Sequence, residues 1–560
     1  MRLRQGKNEK GDGMGTQGLT RRGFLAAATA TAATAAIASM AGCSPADAGK
    51  SEEQAKSEGV RWSWETKPEP ITDVAETIDA DICIVGLGSA GTIATLAAAR
   101  SGARVVVLQK ESSMITNGWC TALFNTKQAL DSGVPAFDYG ECYSKFSQLQ
   151  NGKDKASVVL QTFRRSGEVG DWVFSEIEGE FTPVLRPSNY TFGYYINNDF
   201  ATRYEQFRLL LTSLVDKATE AGADIRYSTP AVQLVTDESG AVSGVIGERE
   251  DGSHIQVNAS AGVVLCTGDI SDDQEMLECY NPMLVGITSL HGAPCNTGDG
   301  HKMGMWVDAA IDAPPHGQMV HFDPTWMPNG NAPFAGIPWL RVNINGERFQ
   351  NEDMPYQNVV TNVRLQPEMT AFQICDSTWT AHAPNGDYPH DNSHSRSTAD
   401  PAADWAAALE RGAILQADTL EELASLMELS DEAAETFYAT VARYNELGEK
   451  GYDEDFGVKS EYLAWNAIKQ PPFFAIKRMP GLLSTVGGLK CNVELQALKE
   501  SGEPVDGLYV AGNVIGNYYG DDYSMFPEGG SHGRAWTTGC LAVRSALGKR
   551  EDPLDDLYVS

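Results

Sequence analysis

The stretch Asp81-Ile82-Cys83-Ile84-Val85-Gly86-Leu87-Gly88-Ser89-Ala90-Gly91 decides the fold. An unbroken apolar run of strand length enters a G-x-G-x-x-G turn, and the alanine-rich stretch from Ser89 to Arg100 follows as a helix. Glycines in such a turn let the backbone approach a pyrophosphate at the helix N-terminus, where unpaired amides and the helix dipole favour anions. A second strand, Arg104 to Leu108, ends in Gln109-Lys110-Glu111, where dinucleotide folds place an acidic residue on the ribose hydroxyls. Gln109 holds the usual position without a charge and Glu111 stands two residues on, so the ribose contact is open between them.

Far along the chain, Gly507-Leu508-Tyr509-Val510-Ala511-Gly512-Asn513 reads as another buried strand entering a glycine turn. A single G-x-G-x-x-G motif is a weak signal, but its pairing with this distant strand points to FAD rather than NAD. Between the two, apolar Phe207, Leu210, Leu211, Leu214 and Val215 form one stripe of a helix from Tyr204 to Ala221. Ile225 to Val257 alternates like an antiparallel meander, and Val263-Val264-Leu265-Cys266-Thr267-Gly268 is a strand running into a turn. Thr297-Gly298-Asp299-Gly300 follows as a glycine turn before a helix. Pro, Trp and Asn then cluster from Pro314 to Pro338, and one long helical stretch runs from Leu420 to about Lys450. The chain returns to its first domain from Pro471-Pro472-Phe473-Phe474. The expected fold class is α/β: a Rossmann-like FAD-binding domain, split in sequence into 76–316 and 477–550, with an inserted α+β capping domain over 317–476 and a tail at 551–560.

At 560 residues the chain is too long for one compact core. Its 42% hydrophobic and 21% charged residues fit a soluble globular protein. A formal net charge of -32 repels phosphate backbones, so nucleic acid is excluded as a partner. Residues 1–43 read as an address: Thr20-Arg21-Arg22-Gly23-Phe24-Leu25 is a twin-arginine pattern, followed by a weakly apolar Ala/Thr-rich run. That route carries folded proteins and suits an enzyme that acquires FAD in the cytoplasm before export. Met40-Ala41-Gly42-Cys43 resembles a lipobox with Met where Leu is usual, so two outcomes stay open: a lipid anchor at Cys43, or cleavage and release. Residues 44–75 read as a flexible spacer. Cys83 and Cys266 sit inside strand-like runs, where cysteine is a small hydrophobe, and no Cys-x-x-Cys-His or ferredoxin spacing is present. Electrons are therefore expected from a separate redox partner: a cytochrome, an FMN protein or a quinol system.

These landmarks, together with Asn345-Gly346-Glu347-Arg348-Phe349-Gln350-Asn351-Glu352 and Arg443-Tyr444-Asn445, resemble the FAD-dependent superfamily of fumarate reductase and 3-ketosteroid 1-dehydrogenase, over Asp79 to Leu547. The resemblance implies that Gly86, Gly88, Ser89, Ala90 and Gly91 hold the pyrophosphate. Gln109, Lys110 and Glu111 fall at the ribose end, with Thr267, Gly268 and Asp299 along the dinucleotide path and Gly512 and Asn513 at the late turn. Asn117, Gly118 and the helix start Gly529-Gly530-Ser531 are expected near the flavin ring. Some relatives attach FAD through a histidine near the position of Thr116. No histidine lies between Ser112 and Thr121, which implies noncovalent FAD.

Departures from the family pattern carry the substrate information. Fumarate-type enzymes clamp a dicarboxylate with arginines, one of which delivers the proton, because a carboxylate favours a planar bidentate cation. The proton-donor position here is Tyr356 and the clamp position is Tyr523, while Asp323 and Ser484 stand where histidines are expected. Ketosteroid dehydrogenases place tyrosines at the first two positions and an asparagine where Asn513 stands. A phenol, with a reference pKa of about 10, donates a hydrogen bond to a ketone, lactone or ester oxygen without requiring a carboxylate.

The resemblance therefore implies an unsaturated carbonyl substrate. Hydride goes from flavin to its β-carbon, Tyr523 and a backbone amide from Phe526 to Gly530 hold the enolate oxygen, and Tyr356 protonates the α-carbon. Run backwards, the same residues dehydrogenate a saturated ketone, as in an oxidative 3-ketosteroid dehydrogenase. A noncatalytic flavin electron carrier is the alternative of a different class. His321 is read as approaching the substrate or as structural, and His532 as touching the ring or capping its helix. Tyr190, Phe192, Tyr194 and Tyr195 are read as lining a flat pocket or as core.

Overall fold

The computed structural model describes residues 62–188, 191–197, 202–291, 295–322, 334–382, 401–465, 467–524, 526–550 and 554–557. The twin-arginine and lipobox segments, most of the spacer, Asp323 and Tyr190 lie outside the described residues. Two compact units divide the chain at Lys67 and Pro68. The described part of the first holds only the short 3-10 turn Ser63–Glu65. The second holds every sheet.

Its main sheet has eight strands. Glu76–Val85 lies at the centre, parallel to Val105–Leu108 on one side and to His254–Leu265 on the other. Asp224–Arg226 extends the first side, also in parallel. Ile82 to Val85 are buried because crossover helices cover both faces of a parallel sheet, which is why the segment reads as unbroken apolar sequence. The late strand Pro504–Val510 joins the far side of His254–Leu265 in parallel register, Leu508 opposite Val263. Residues about 425 positions apart along the chain therefore belong to one sheet, and the nucleotide-binding domain is split in sequence as expected. Ala231–Thr236 and Val242–Glu248 form the anticipated antiparallel meander against His254–Leu265. Helices Ser89–Arg100 and Gly530–Ala546 pack so closely that a Cβ on Gly539 would meet the Ala90 carbonyl oxygen at 2.4 Å.

A second, antiparallel sheet orders Arg341–Asn343, Ala371–Asp376, Phe473–Arg478 and Ile414–Ala417. It has its own apolar core, with Trp339, Trp405, Phe437 and Phe474 among its members. The structure corrects two expectations from sequence. Phe473–Arg478, expected at the return to the first domain with the boundary between 476 and 477, is wholly a strand of the cap sheet, paired on both edges. The stretch from 420 to 450 is two helices, Leu420–Leu426 and Asp431–Lys450. Glu428 takes a left-handed φ of 59°, and the Ser430 hydroxyl accepts from Ala433 N to cap the second helix, a local bond that outcompetes helical continuation. The two crossings between the domains, Gly317–Phe322 and Pro480–Val486, run side by side as antiparallel strands.

Candidate active site

The three central parallel strands end at neighbouring glycine turns, and a cavity of about 780 Å³ opens there and runs toward the cap. Nearly every residue expected from sequence to bind the cofactor lines it, as do Tyr356 and Tyr523. Gly91 and Gly530 are set back from the wall. A Cβ on Gly91 would sit 2.0 Å from the Gly86 carbonyl oxygen, so that glycine serves the closeness of helix and strand. Gly530 is the first residue of its helix, behind the left-handed N-cap Gly529.

The cradle fits a dinucleotide. Gly86 has φ 92°, and a Cβ there would meet the Cys266 carbonyl oxygen at 2.6 Å. With Gly88 as N-cap and Thr92 N the first amide to bond back to its carbonyl, the preceding helix amides are the orphan donors of a helix start, suited to an anion. Thr267 Oγ1 is buried without a protein partner on the wall of the same cavity. A bound polar ligand satisfies such a group.

At the ribose end, Gln109 is 6% exposed and both ends of its amide are engaged. Oε1 accepts from Leu87 N at 2.8 Å, and Nε2 donates to the Ser113 carbonyl at 2.9 Å. Gln109 thus braces the glycine turn, and Glu111 is the carboxylate of that strand end on the cavity wall. Lys110 Nζ donates to Thr297 Oγ1 at 2.6 Å and to Asp299 at 3.1 Å, joining two of the residues expected from sequence across the rim.

Near the turn, Trp536 Nε1 donates to Ser89 Oγ at 3.1 Å. Ser89 Oγ in turn lies 2.9 Å from His532 Nδ1, and His532 Nε2 lies 2.5 Å from the Asn117 carbonyl. A carbonyl only accepts, so Nε2 carries the proton and Nδ1 accepts from the serine. Burial pushes the His532 pKa down to about 4, consistent with this neutral tautomer. His532 neither caps its helix nor stands open to the cavity through its ring nitrogens. It ties the loop at Asn117 to the glycine turn, and the Ser89 side chain points toward it, leaving that residue's backbone amide to face an anion.

Asn513 belongs to a second polar cluster. Its Nδ2 donates to Ser484 Oγ at 2.7 Å and to Asp269 at 3.1 Å, and Ser484 Oγ donates to Asp269 at 2.6 Å. Asp269 is buried and on the cavity wall. Sequence reasoning missed it, although it directly follows the Thr267-Gly268 turn.

At the cap end, Tyr356 opens helix Tyr356–Arg364, and its oxygen accepts from Phe322 N at 3.1 Å. Burial pushes its pKa up to about 12 against the opposing pull of the Phe322 amide and the nearby Arg478 and Arg341, so the phenol is protonated at neutral pH. Tyr523 is 7% exposed and its pKa is likewise raised, chiefly by burial, with the Ser531 backbone amide opposing the shift. His321 lines the cavity, packs 5.5 Å from the Tyr356 ring and is held near pKa 4 by burial. Of the aromatic run, Tyr194 is core, its hydroxyl bonded to Thr126, while the Tyr195 ring packs tilted against Trp119, centroids 4.8 Å apart, and its hydroxyl donates to Glu528 at 3.1 Å. Trp119, Arg203, Tyr204 and Glu528, which sequence reasoning did not single out, also line the wall. No periodicity marked them, because their roles come from where separate loops meet. The nine described cysteines are free thiols.

A parallel sheet with this glycine cradle, and a cavity running from it that two phenols line, define a flavoprotein. Residues 81–525 match the family described as FAD binding domain, and the chain belongs to that family. It is 27% identical over 493 residues to vinyl phenol reductase of Lactiplantibacillus plantarum, covering 83% of this chain and 96% of that protein. Over 384 residues it is 30% identical to 3-oxosteroid 1-dehydrogenase of Mycobacterium tuberculosis, covering 61% and 64% of the two chains. The open conformation of a flavocytochrome c3 fumarate reductase shares the fold, with a TM-score of 0.66 at 22% identity over 86% of this chain and 79% of that one. The protein is an FAD-dependent oxidoreductase acting on CH–CH groups.

Proposed function

We propose that this chain is an ene-reductase that adds hydride and proton across a C=C bond conjugated to a carbonyl. The observation that carries the reading is that Tyr356 and Tyr523, both buried and protonated, line the same cavity as the FAD cradle. The Gly86–Ser89 turn and the Thr267 wall would hold the flavin cofactor, which when reduced would supply the hydride for the β-carbon. Tyr523 donates to the carbonyl oxygen as negative charge develops there, a contribution of ~3 kcal/mol for a well-aimed donor. Tyr356, its oxygen oriented by the Phe322 amide, donates the proton to the α-carbon. Both phenols are protonated at neutral pH, the state that proton donation requires, whereas dehydrogenation of a saturated ketone needs Tyr356 as a base. The similarity to vinyl phenol reductase, aligned along nearly its whole length, supports the same direction.

The twin-arginine pattern Thr20 to Leu25 supports export, with a tether at Cys43 and electrons delivered by a separate redox protein or quinol system. The reading is tested with holoenzyme reduced anaerobically by dithionite and mixed with fumarate, cinnamates, enone steroids and unsaturated lactones. Flavin reoxidation by conjugated carbonyl compounds, with formation of the saturated product, is the expected outcome. Reoxidation by fumarate alone, or by none of them, would sink it.

A further inference from the structure

Tyr523 is backed by a cation set behind the cavity wall. Arg534, in helix Gly530–Ala546, is 1% exposed. Its guanidinium carbon lies 4.9 Å from the Tyr519 ring centroid and 5.0 Å from that of Tyr518. Nη2 donates to the Asn513 amide oxygen, and Nε and Nη1 are buried without a partner. Among the described residues no carboxylate is hydrogen-bonded to this charge, so two aromatic faces and one amide oxygen compensate it. The Tyr519 ring in turn packs against that of Tyr523, centroids 5.1 Å apart, and the two side chains share a hydrogen bond. Tyr523 lines the main cavity, whereas Arg534 and Tyr519 line a small cavity behind it. Burial raises the pKa of both phenols, and the Arg534 charge pulls against that rise at each of them.

A buried cation that lacks a carboxylate partner stabilises negative charge arising near it, and in the interior its field is little screened. Lying over a phenol face, it draws electron density from the ring and makes the hydroxyl a stronger donor. Hydrogen bonds in a chain polarise one another, so a stronger donor at Tyr519 makes Tyr523 a stronger donor to the oxygen it meets. The effect grows as that oxygen becomes negative. It therefore favours an enolate-like state over the neutral carbonyl that precedes it.

We infer that Arg534 is a positioning residue of the reaction: acting through Tyr519, it tunes Tyr523 to hold an enolate oxygen in preference to a neutral carbonyl. The inference rests on the ene-reduction reading for the identity of that oxygen, but its prediction concerns binding alone.

The test titrates the oxidised holoenzyme at neutral pH with two probes that share a flat ring. Pentafluorophenol is ionised there and presents an enolate-like oxygen, whereas phenol is neutral. Kd is read from perturbation of the flavin absorption spectrum. The wild type binds the phenolate more tightly, and Tyr523→Phe abolishes the preference. Arg534→Met weakens phenolate binding roughly 10-fold and phenol binding by less than about 2-fold, whereas a merely structural role would weaken both alike. Arg534→Lys, which keeps the charge, retains part of the preference. Tyr519→Phe also lowers it, and in the double variant the two losses are less than additive because they share one route. FAD content and circular dichroism report on folding, and Tyr519→Phe carries the test where Arg534→Met fails to retain its flavin. Failure of the phenolate to bind, no preference for it in the wild type, a preference undiminished in Arg534→Met or Tyr519→Phe, an Arg534→Lys no better than Arg534→Met, or losses that simply add overturns the inference. A preference that depends on both Arg534 and Tyr519 upholds it even where no conjugated carbonyl compound reoxidises the reduced flavin, a result that would instead overturn the ene-reduction reading.

Discussion

The Phe322 backbone amide donates to Tyr356 Oη at 3.1 Å, joining the last residue of one interdomain strand to the first residue of a cap helix. The bond occupies an acceptor position on the phenol and directs its proton to a different acceptor. It also makes the placement of the hydroxyl depend on the crossing strand.

Tyr356→Phe removes that proton and keeps the ring. The variant should retain FAD, while reoxidation of its reduced flavin by substrate slows by roughly 10²- to 10⁴-fold, the range of a lost general acid. Stopped-flow absorbance under anaerobic conditions measures it. A wild-type rate would remove Tyr356 from the mechanism.

Gly86→Ala places a Cβ 2.6 Å from the Cys266 carbonyl oxygen on a backbone with φ 92°. Strain of about 1–3 kcal/mol in the cradle should weaken FAD binding by roughly 5- to 150-fold. The flavin-to-protein absorbance ratio after gel filtration reports the loss. Acid precipitation of the wild type should release its FAD into the supernatant, since no histidine lies between Ser112 and Thr121 to attach it.

Ser89→Ala interrupts the chain from Trp536 through Ser89 to His532 and Asn117. It leaves the Trp536 N–H and His532 Nδ1 without their hydroxyl partner, at a cost of about 1–3 kcal/mol. A lower thermal midpoint, with the FAD-loaded protein affected along with the apoprotein, is the expected result. An unchanged midpoint in both would show that the chain contributes nothing to stability.

Acid should destabilise the fold well before carboxylates titrate. Burial holds His301, His321 and His532 near pKa 4 and His316 near 3, against about 6.5 in an unfolded chain. The unfolded state takes up protons that the folded state refuses, so the stability these groups confer is present above about pH 6.5 and is lost as pH falls toward 4. The slope is up to ~1.4 kcal/mol per pH unit for each histidine. Asp522 works in the opposite sense, because burial raises it to about 6 and its contribution is lost as pH rises through that value. Denaturation midpoints at pH 5, 6.5 and 8 should therefore peak near neutrality. Asp522→Asn should gain on the wild type at pH 8 and not at pH 4.

Local pattern carried the strand-turn-helix units. The Asp81–Gly91 segment, the helix Ser89–Arg100 and the meander against His254–Leu265 stand where hydrophobic periodicity and glycine spacing put them. Pattern failed where a local bond competed with periodicity, as at the Ser430 cap, and where strand pairing across the chain decides the domain, as at Phe473–Arg478.

What the sequence determined by itself was the cradle and its setting: glycines at close approaches, a split nucleotide domain and the two tyrosines that line its cavity. Those are matters of residue type and spacing. Only the tertiary structure decided which side chains act on one another. Gln109 is drawn into the glycine turn by Leu87 and Ser113, the Ser89 hydroxyl turns to His532, and Arg203 stands on the wall between Trp119 and Tyr204. Each of those outcomes depends on contacts between segments far apart in the chain, and burial then sets the protonation of the groups so enclosed. Neither effect has a signature in local sequence.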